Sequence, residues 1–349
     1  MPLISFYEVS VPDGLESFTV DEIRHRLGHE VHFLTPGVRV RPGLLQFTYG
    51  GKAVNLLQLK TALSPFVVLR FPVPRPKALL GHQHLQVLLE QIRTIMRHSP
   101  TGTYRSIYLA AAGSDSAVMQ RFIQEVATEL GLQVNPNEGD LLLRVRRPLD
   151  GSEGWEVLIR MAHRPLSVRP WRVCDLAGAL NAAVAQVMVI LTRPNREDVF
   201  LNLACGSGTL LAERAAAGPF RLALGCDFDP HALDCARANL TAAHTRIPVF
   251  DWDVTRLPLG SKTVNVLCAD LPFGHDVGSH DDNLILYPRL LREAGRVATA
   301  DGRAVFLTHE LRLMESILER SADWELDTEI PLTINGLHPH IYSLKIRPA

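Results

Sequence analysis

The chain has little cysteine and no long apolar run. Its 349 residues include five cysteines, Cys174, Cys205, Cys226, Cys235 and Cys268, and no two of them stand in a Cys-x-x-Cys pair. Zinc sites of the usual spacing are thereby excluded. An odd number cannot pair completely, so the cysteines read as reduced thiols of a cytoplasmic protein and not as a disulfide frame. The longest apolar stretch, Ala182 to Leu191, contains Gln186 and has about half the length of a membrane span. The opening residues Met1-Pro2-Leu3-Ile4-Ser5-Phe6-Tyr7-Glu8 carry neither the basic region nor the apolar core of a signal peptide. His338 and His340 have no cysteine or acid close by in sequence, so no metal site is expected.

What is present describes an ordinary globular protein. Hydrophobic residues make up 46% of the chain and charged ones 21%, enough apolar material at this length for two or three cores. The formal net charge of −1 hides an asymmetry. Residues 1–172 hold 20 lysines and arginines against 15 acids, and the remainder holds 16 against 22. A polyanionic partner is therefore expected to meet the first half.

The densest signal is Val199-Phe200-Leu201-Asn202-Leu203-Ala204-Cys205-Gly206-Ser207-Gly208-Thr209-Leu210, an apolar run ending in a glycine turn. With Leu210-Leu211-Ala212-Glu213 after it, the segment reads as strand, turn and helix. Glycine lets a ligand approach the backbone, and a helix N-terminus offers unpaired N–H groups to it. Three more apolar runs end in acids: Leu222–Asp227 with Phe228 after it, Val249–Asp251 leading to Asp253 and Val254, and Thr263–Asp270 leading to Leu271, Pro272 and Phe273. An acid about 20 residues beyond the glycine turn is where nucleoside-binding α/β folds hold ribose. Four such strand ends would line one edge of a parallel sheet.

These residues resemble the class I S-adenosylmethionine-dependent methyltransferases, which share a Rossmann-like α/β fold. The resemblance implies S-adenosylmethionine as cofactor, S-adenosylhomocysteine as product and no metal. It assigns Asn202, Ala204, Cys205, Gly206, Ser207, Gly208 and Thr209 to the methionine-binding turn. Asp227 would hold the ribose, Phe228 would pack on adenine, and Asp253 with Val254 would meet the adenine amine. Asp270-Leu271-Pro272-Phe273 is similar to the (Asp/Asn)-Pro-Pro-(Tyr/Phe) motif of amino-group methyltransferases. A nicotinamide-binding turn is the rival, but Leu211 stands where its third glycine would be.

The first half reads as a mixture of strands and helices. A helix is expected through Ile23–Leu27, and strands at Glu30–Leu34, Gly37–Val40, Leu44–Tyr49 and Phe66–Phe71. Pro72-Val73-Pro74-Arg75-Pro76 reads as a linker. Beyond it, helices are expected at His84–Met96 and Ala117–Leu130, and strands at Ser106–Ala110, Leu141–Arg146 and Trp155–Arg160. This order, with Gly14-Leu15-Glu16 and Leu59-Lys60-Thr61-Ala62, resembles a THUMP domain preceded by a ferredoxin-like segment. Ser167-Val168-Arg169-Pro170-Trp171-Arg172 and the apolar helix to Leu191 resemble the lead-in of THUMP-linked RNA methyltransferases. The implied organisation is a ferredoxin-like segment over residues 1–60, a THUMP RNA-binding domain over 61–165, a linker helix over 166–195 and a Rossmann-like methyltransferase domain over 196–349. In that family the front half grips the single-stranded end of a transfer RNA, and Arg169 and Arg172 are candidate RNA contacts.

The motif at Asp270 suits a planar amine whose lone pair is delocalised into a ring. Such a nitrogen attacks only when acceptors hold its N–H groups and aim the lone pair. The Asp270 carboxylate and the Leu271 carbonyl are the two expected acceptors, Pro272 restricts the residue before it, and Phe273 offers a stacking face. Asp-Leu-Pro-Phe-Gly with Leu286-Tyr287-Pro288 looks most like the THUMP-containing enzymes that methylate the exocyclic 2-amino group of guanosine in the acceptor stem, at position six. The loop His275-Asp276-Val277-Gly278-Ser279-His280-Asp281-Asp282 is acidic where relatives often carry basic residues, which speaks against a phosphate contact from it. Cys268 invites a cytosine methyltransferase reading, which needs a placed thiolate, but it reads as a buried strand residue. The alternatives are a ribosomal RNA guanosine methyltransferase and a non-catalytic RNA-binding protein with a decayed cofactor site.

Overall fold

The structure, a computed structural model, describes residues 5–34, 41–272, 279–334 and 336–348. Two compact units emerge: Met1–Val11 with Glu16–Ser167, and Pro12–Leu15 with Val168–Ala349.

The first unit is built on one eight-stranded sheet. Its strands are β1 (Ser5–Ser10), β2 (Val31–Phe33), β3 (Leu44–Tyr49), β4 (Ser64–Phe71), β5 (Ser106–Ala111), β6 (Gln133–Val134), β7 (Leu141–Arg146) and β8 (Trp155–Arg160). They lie in the order β2-β3-β1-β4-β8-β7-β5-β6, so residues on both sides of position 60 share one sheet. β4 is buried along nearly its whole length because it sits mid-sheet, and the two shortest strands form the edges. Helices α1 (Glu16–Leu27), α2 (His82–Met96) and α3 (Ala117–Leu130) complete the unit. Leu88, Leu89 and Ile92 of α2 and Phe122, Ile123 and Val126 of α3 pack with Phe47, Val67 and Ile159 of the sheet. Ser116 caps α3 by accepting the Met119 N–H, and Gly131 ends it in the left-handed conformation.

Most expected elements of this half appear, and the expected linker Pro72–Pro76 connects β4 to α2 inside the first unit. β1 was not expected, since its sequence Ser-Phe-Tyr-Glu-Val-Ser puts Glu8 at a fully buried position. Arg146 answers that charge at 2.5 Å and also reaches Glu156, itself fully buried, at 3.0 Å. The expected strand at Gly37–Val40 falls mostly on 35–40, outside the described residues.

The second unit is a doubly wound α/β layer. Its strands are β9 (Val199–Asn202), β10 (Leu222–Asp227), β11 (Val249–Asp251), β12 (Val264–Asp270), β13 (Ala298–Thr308), β14 (Trp324–Pro331) and β15 (His340–Ile346). The order is β11-β10-β9-β12-β13-β15-β14. The first five run parallel, and β15 is antiparallel to both neighbours. Helices α4 (Ala182–Leu191), α5 (Thr209–Ala216), α6 (Pro230–Ala242), α7 (His280–Val297) and α8 (Leu311–Arg320) accompany them. From β9 the chain winds outward through β10 and β11, then returns to place β12 on the other side of β9. The carboxyl ends of β9 and β12 therefore flank the switch point where such sheets open a ligand crevice. Among the described residues no helix is long and apolar enough to cross a membrane.

Pro12–Leu15 is stitched into this second unit. Thr333 donates its N–H to the Asp13 carbonyl at 2.9 Å. Gly14 has φ +96°, and a Cβ there would fall 2.2 Å from the Pro331 carbonyl oxygen. Only glycine allows that approach.

The expectation of five reduced thiols needs correction. Cys174 and Cys235 form a disulfide across a sequence separation of 61. Nothing in the spacing of these cysteines announces the bond. It exists because the segment leading into α4 folds against α6. Cys205, Cys226 and Cys268 remain free and buried.

Candidate active site

The candidate site lies where β9, β10 and β12 end. Leu203 donates its N–H to the Cys268 carbonyl at 2.9 Å and Cys205 donates to the Cys226 carbonyl at 2.8 Å, so the glycine turn is laced to both neighbouring strands. Ala204 at φ +47°, Gly206 at φ +51° and Gly208 at φ +80° reverse the chain into α5. A non-glycine residue in that region is uncommon and mildly strained. Ala204 and Gly206 are the partly exposed members of the turn, and a Cβ at Gly206 would meet nothing within 4 Å. Open space on the outer side of a glycine turn at a helix N-terminus is a place for a polar ligand to approach.

Inside the turn the hydroxyls face the protein. Ser207 Oγ and Thr209 Oγ1 are 3.3 Å apart, and both residues are buried. Asn202, also buried, donates to the Leu203 and Cys268 carbonyls at 3.2 and 3.0 Å, while its own Oδ1 has no partner. A shielded acceptor without a donor is costly unless something arrives to satisfy it.

Asp227 joins the second strand end to the turn. Its Oδ2 accepts the Gly206 N–H at 2.8 Å and its Oδ1 the Asp229 N–H at 3.1 Å. Each carboxylate oxygen keeps acceptor capacity beyond these bonds. Phe228, next in sequence, is 73% exposed and presents an uncovered ring. Trp252 N–H reaches the Asp227 carbonyl at 3.3 Å, which draws the third strand end alongside. Just beyond it, Asp253 holds its Oδ1 within its own turn, accepting from Thr255 N at 2.8 Å and Thr255 Oγ1 at 2.7 Å. Those two bonds hold its carboxyl below the usual range. Val254, next to it, is partly buried against the core.

The fourth strand end carries Asp270. Part of the residue reaches the surface, but Oδ1 is shielded and has no hydrogen-bond partner. Burial without a compensating cation or donor pushes its carboxyl up to about 7. Leu271 donates its N–H to the Leu307 carbonyl at 2.9 Å and buries its side chain in the core. That side chain explains why leucine serves where proline is common: the position belongs to the core. Phe273 lies outside the described residues, as do residues 275–278 of the acidic loop, whereas Ser279 caps α7 and His280, Asp281 and Asp282 form its first turn and not a loop.

The cysteines at the site are not nucleophiles. Burial raises the thiols of Cys205 and Cys268 and pushes Cys226 up to about 12. A thiol held protonated at neutral pH cannot attack a base.

Arg169 and Arg172, expected to contact RNA, have protein partners. Arg169 is nearly buried and pairs with the buried Glu213 at 2.7 Å. Arg172 donates to the Leu180 carbonyl at 2.7 Å, to Thr209 Oγ1 at 2.9 Å and to Asp175 at 3.1 Å. Both guanidinium groups brace the segment leading into α4 against the glycine turn and α5, which leaves little for a phosphate. Asn239 of α6 does similar work and was not anticipated. It accepts from Val173 N and Cys174 N and donates to the Cys174 and Ser207 carbonyls, each at 2.9 Å. A polar residue on the otherwise apolar face of an amphipathic helix was the available signal.

Comparison with known proteins agrees with this geometry. Residues 169–340 match the UPF0020 family, described as an RMKL-like methyltransferase domain. Over these residues the chain is similar to that methyltransferase domain. Relatives of the chain include the tRNA (guanine(6)-N(2))-methyltransferase THUMP3 of Bos taurus, 30% identical over 184 residues, covering 48% of this chain and 36% of that protein. The tRNA (guanine(6)-N2)-methyltransferase of Methanocaldococcus jannaschii is 23% identical over 257 residues, covering 62% and 66%. The chain thus spans about a third of the cattle protein it matches. Among solved structures, TrmN from Thermus thermophilus has a TM-score of 0.73 at 20% identity, covering 99% of this chain and all of that one. SMU.472, complexed with SAH, has a TM-score of 0.68 at 15% identity, covering 100% of both. At such identities these two establish the shared fold.

Proposed function

We propose that this chain transfers the methyl group of S-adenosylmethionine to the exocyclic 2-amino group of a guanosine in transfer RNA, at position six of the acceptor stem. The observation that carries the reading is Asp270: a carboxylate at a strand end facing the switch point, with one shielded oxygen lacking any donor. A guanine amine would be that donor. The relatives named above act on guanine N2, which is why guanine is preferred to adenine.

In this reading the glycine turn binds the methionine end, Asp227 holds the ribose, and Phe228 and Asp253 hold the adenine. The bound sulfonium supplies an already activated methyl group. Asp270 and the Leu271 carbonyl take the two N–H groups of the amine and aim its lone pair, while Phe273 stacks on the base. A carboxyl near neutrality can both hold the amine and accept its proton after transfer. Positioning and acceptor electrostatics are the protein's contribution.

The organisation read from the sequence, ferredoxin-like segment, THUMP domain, linker helix and methyltransferase domain, is part of the proposal. The basic first half is its RNA-gripping surface, now without Arg169 and Arg172. A target inside a stem must flip out to reach the site, and phosphate contacts offset that cost.

A second reading has an observation of its own. The U6 snRNA (guanine-N(2))-methyltransferase THUMPD2 of Bos taurus is 33% identical over 148 residues, covering 42% of this chain and 28% of that protein. It keeps the amine and changes the RNA. Incubation with labelled S-adenosylmethionine and unfractionated transfer RNA, ribosomal RNA or U6 RNA, followed by nucleoside mass spectrometry, separates the two. N2-methylguanosine in transfer RNA is expected. Label in another nucleoside, or in none, would sink the proposal.

A further inference from the structure

The carbonyl of Pro272, inside the motif that begins at Asp270, accepts two side-chain hydrogen bonds from α7. Tyr287 Oη donates to it at 2.7 Å and Asn283 Nδ2 at 3.0 Å. Both residues are fully buried. Tyr287 has a single hydroxyl proton, and a carbonyl can only accept, so that proton lies on Pro272. The 2.8 Å contact between Tyr287 Oη and Thr308 Oγ1 then has one direction: Thr308 donates. Thr308 Oγ1 in turn accepts the Glu310 N–H at 2.9 Å. A directed chain thus runs from Glu310 through Thr308 and Tyr287 to Pro272.

A second chain starts at the same acid. The other Asn283 proton goes to Glu310 Oε1 at 3.2 Å, which fixes the orientation of the amide, and His280 Nδ1 lies 2.9 Å from the same carboxylate. Both chains converge on one carbonyl. Hydrogen bonds arranged head to tail reinforce one another, and both N–H groups of Asn283 are used here while its buried Oδ1 has no partner.

We propose that Asn283 and Tyr287 are positioning residues for methyl transfer: by clamping the Pro272 carbonyl they fix the peptide that follows Asp270 and Leu271, and so the aim of the two acceptors. This inference rests on the function proposed above. β12 alone does not supply that restraint, because its ladder ends at Asp270 and the next fixed N–H is that of Leu271. Neither residue touches the reacting amine in this account.

The test uses the full chain carrying Tyr287→Phe, which keeps the ring in the core, and Tyr287→Phe with Asn283→Ala. Methyl transfer to unfractionated transfer RNA gives kcat and KM, calorimetry gives S-adenosylmethionine affinity, and amide hydrogen exchange is read on the peptide ending at Pro272. Loss of one such bond should lower kcat about tenfold in the single variant and further in the double. The KM for RNA and the cofactor affinity should stay within about twofold, and exchange at Leu271 should quicken. Wild-type kcat, or unaltered exchange in the double variant, overturns the clamp. A drop in kcat accompanied by equal losses in both affinities also overturns it, since that marks general loosening. If the wild-type protein methylates no guanosine, the functional proposal falls, and the exchange measurement alone decides the clamp.

Discussion

Asp227 accepts the backbone N–H of Gly206 at 2.8 Å, so the acid at the end of β10 and the glycine turn after β9 form one rigid piece. With Asp227 as the proposed ribose acid, ribose recognition and turn geometry would be coupled at a single carboxylate.

Removing it should show both roles. Asp227→Ala deletes acceptors for the ribose hydroxyls and leaves the Gly206 N–H without its partner. Hydrogen bonds to a charged group contribute roughly 1.5–3 kcal/mol each, so calorimetry should find S-adenosylmethionine bound at least about tenfold more weakly. A melting temperature close to wild type should accompany this. Unchanged affinity would place the ribose acid elsewhere.

Asp270→Asn should abolish turnover while cofactor affinity stays within about tenfold. In the wild-type enzyme, transfer should increase as pH rises through about 7, where the carboxylate forms. Stability should run the other way. The folded-state pKa is raised above the ordinary value of 3.8, so between these values the folded protein binds a proton that the unfolded chain does not. The stability this group contributes is complete below about 4 and is lost as pH climbs through 7. Thermal melts at pH 8 should thus find Asp270→Asn more stable than wild type. A lower melting temperature there would contradict the buried, unpaired carboxylate.

Arg169→Ala distinguishes a brace from an RNA contact. Leaving the buried Glu213 unpaired should cost about 3–5 kcal/mol of stability. The salt dependence of transfer RNA binding should be unaltered, because no phosphate contact is removed. A slope shallower by about one, with stability intact, would restore the RNA role.

Cys235→Ser, or treatment with a dithiol reductant, should lower the melting temperature of the wild-type fold. Closing a loop of this length typically contributes about 2–4 kcal/mol. Free-thiol titration before and after reduction checks the bond itself: two additional thiols are expected, and none would mean the pair is reduced already.

The division between what was and was not readable follows the range of the interactions. The strand, glycine turn and α5 were legible because apolar run, turn and helix opening are local signals, and Asp227 and Asp270 stand at the ends of runs that announce themselves. β1 and β13 were not. β1 has an acid at a buried position that Arg146 and Gln46 make tolerable, and β13 carries Asp301 and Gly302 in its first half. Arg169, Cys174 and Asn239 depend on partners tens of residues away, which no spacing rule reveals. The arginines in particular looked like RNA contacts because a basic residue beside a linker has no local reason to be buried.

The pairing of Asp13 with Thr333 sets an order in time as well as a place in space. The two residues are 320 positions apart, and Gly14 waits for the Pro331 carbonyl over nearly the same interval. At about 5–20 residues per second of synthesis, that wait is roughly 16–64 s. Until then the Asp13 carbonyl lacks the Thr333 N–H while the segments on either side of it are already able to fold. The second unit can thus be completed only when its last strands return to residues 12–15. Non-local closure of this kind is slow. A nascent chain halted before residue 331 would hold most of the site described here while lacking both β15 and the bridge from Asp13 to Thr333.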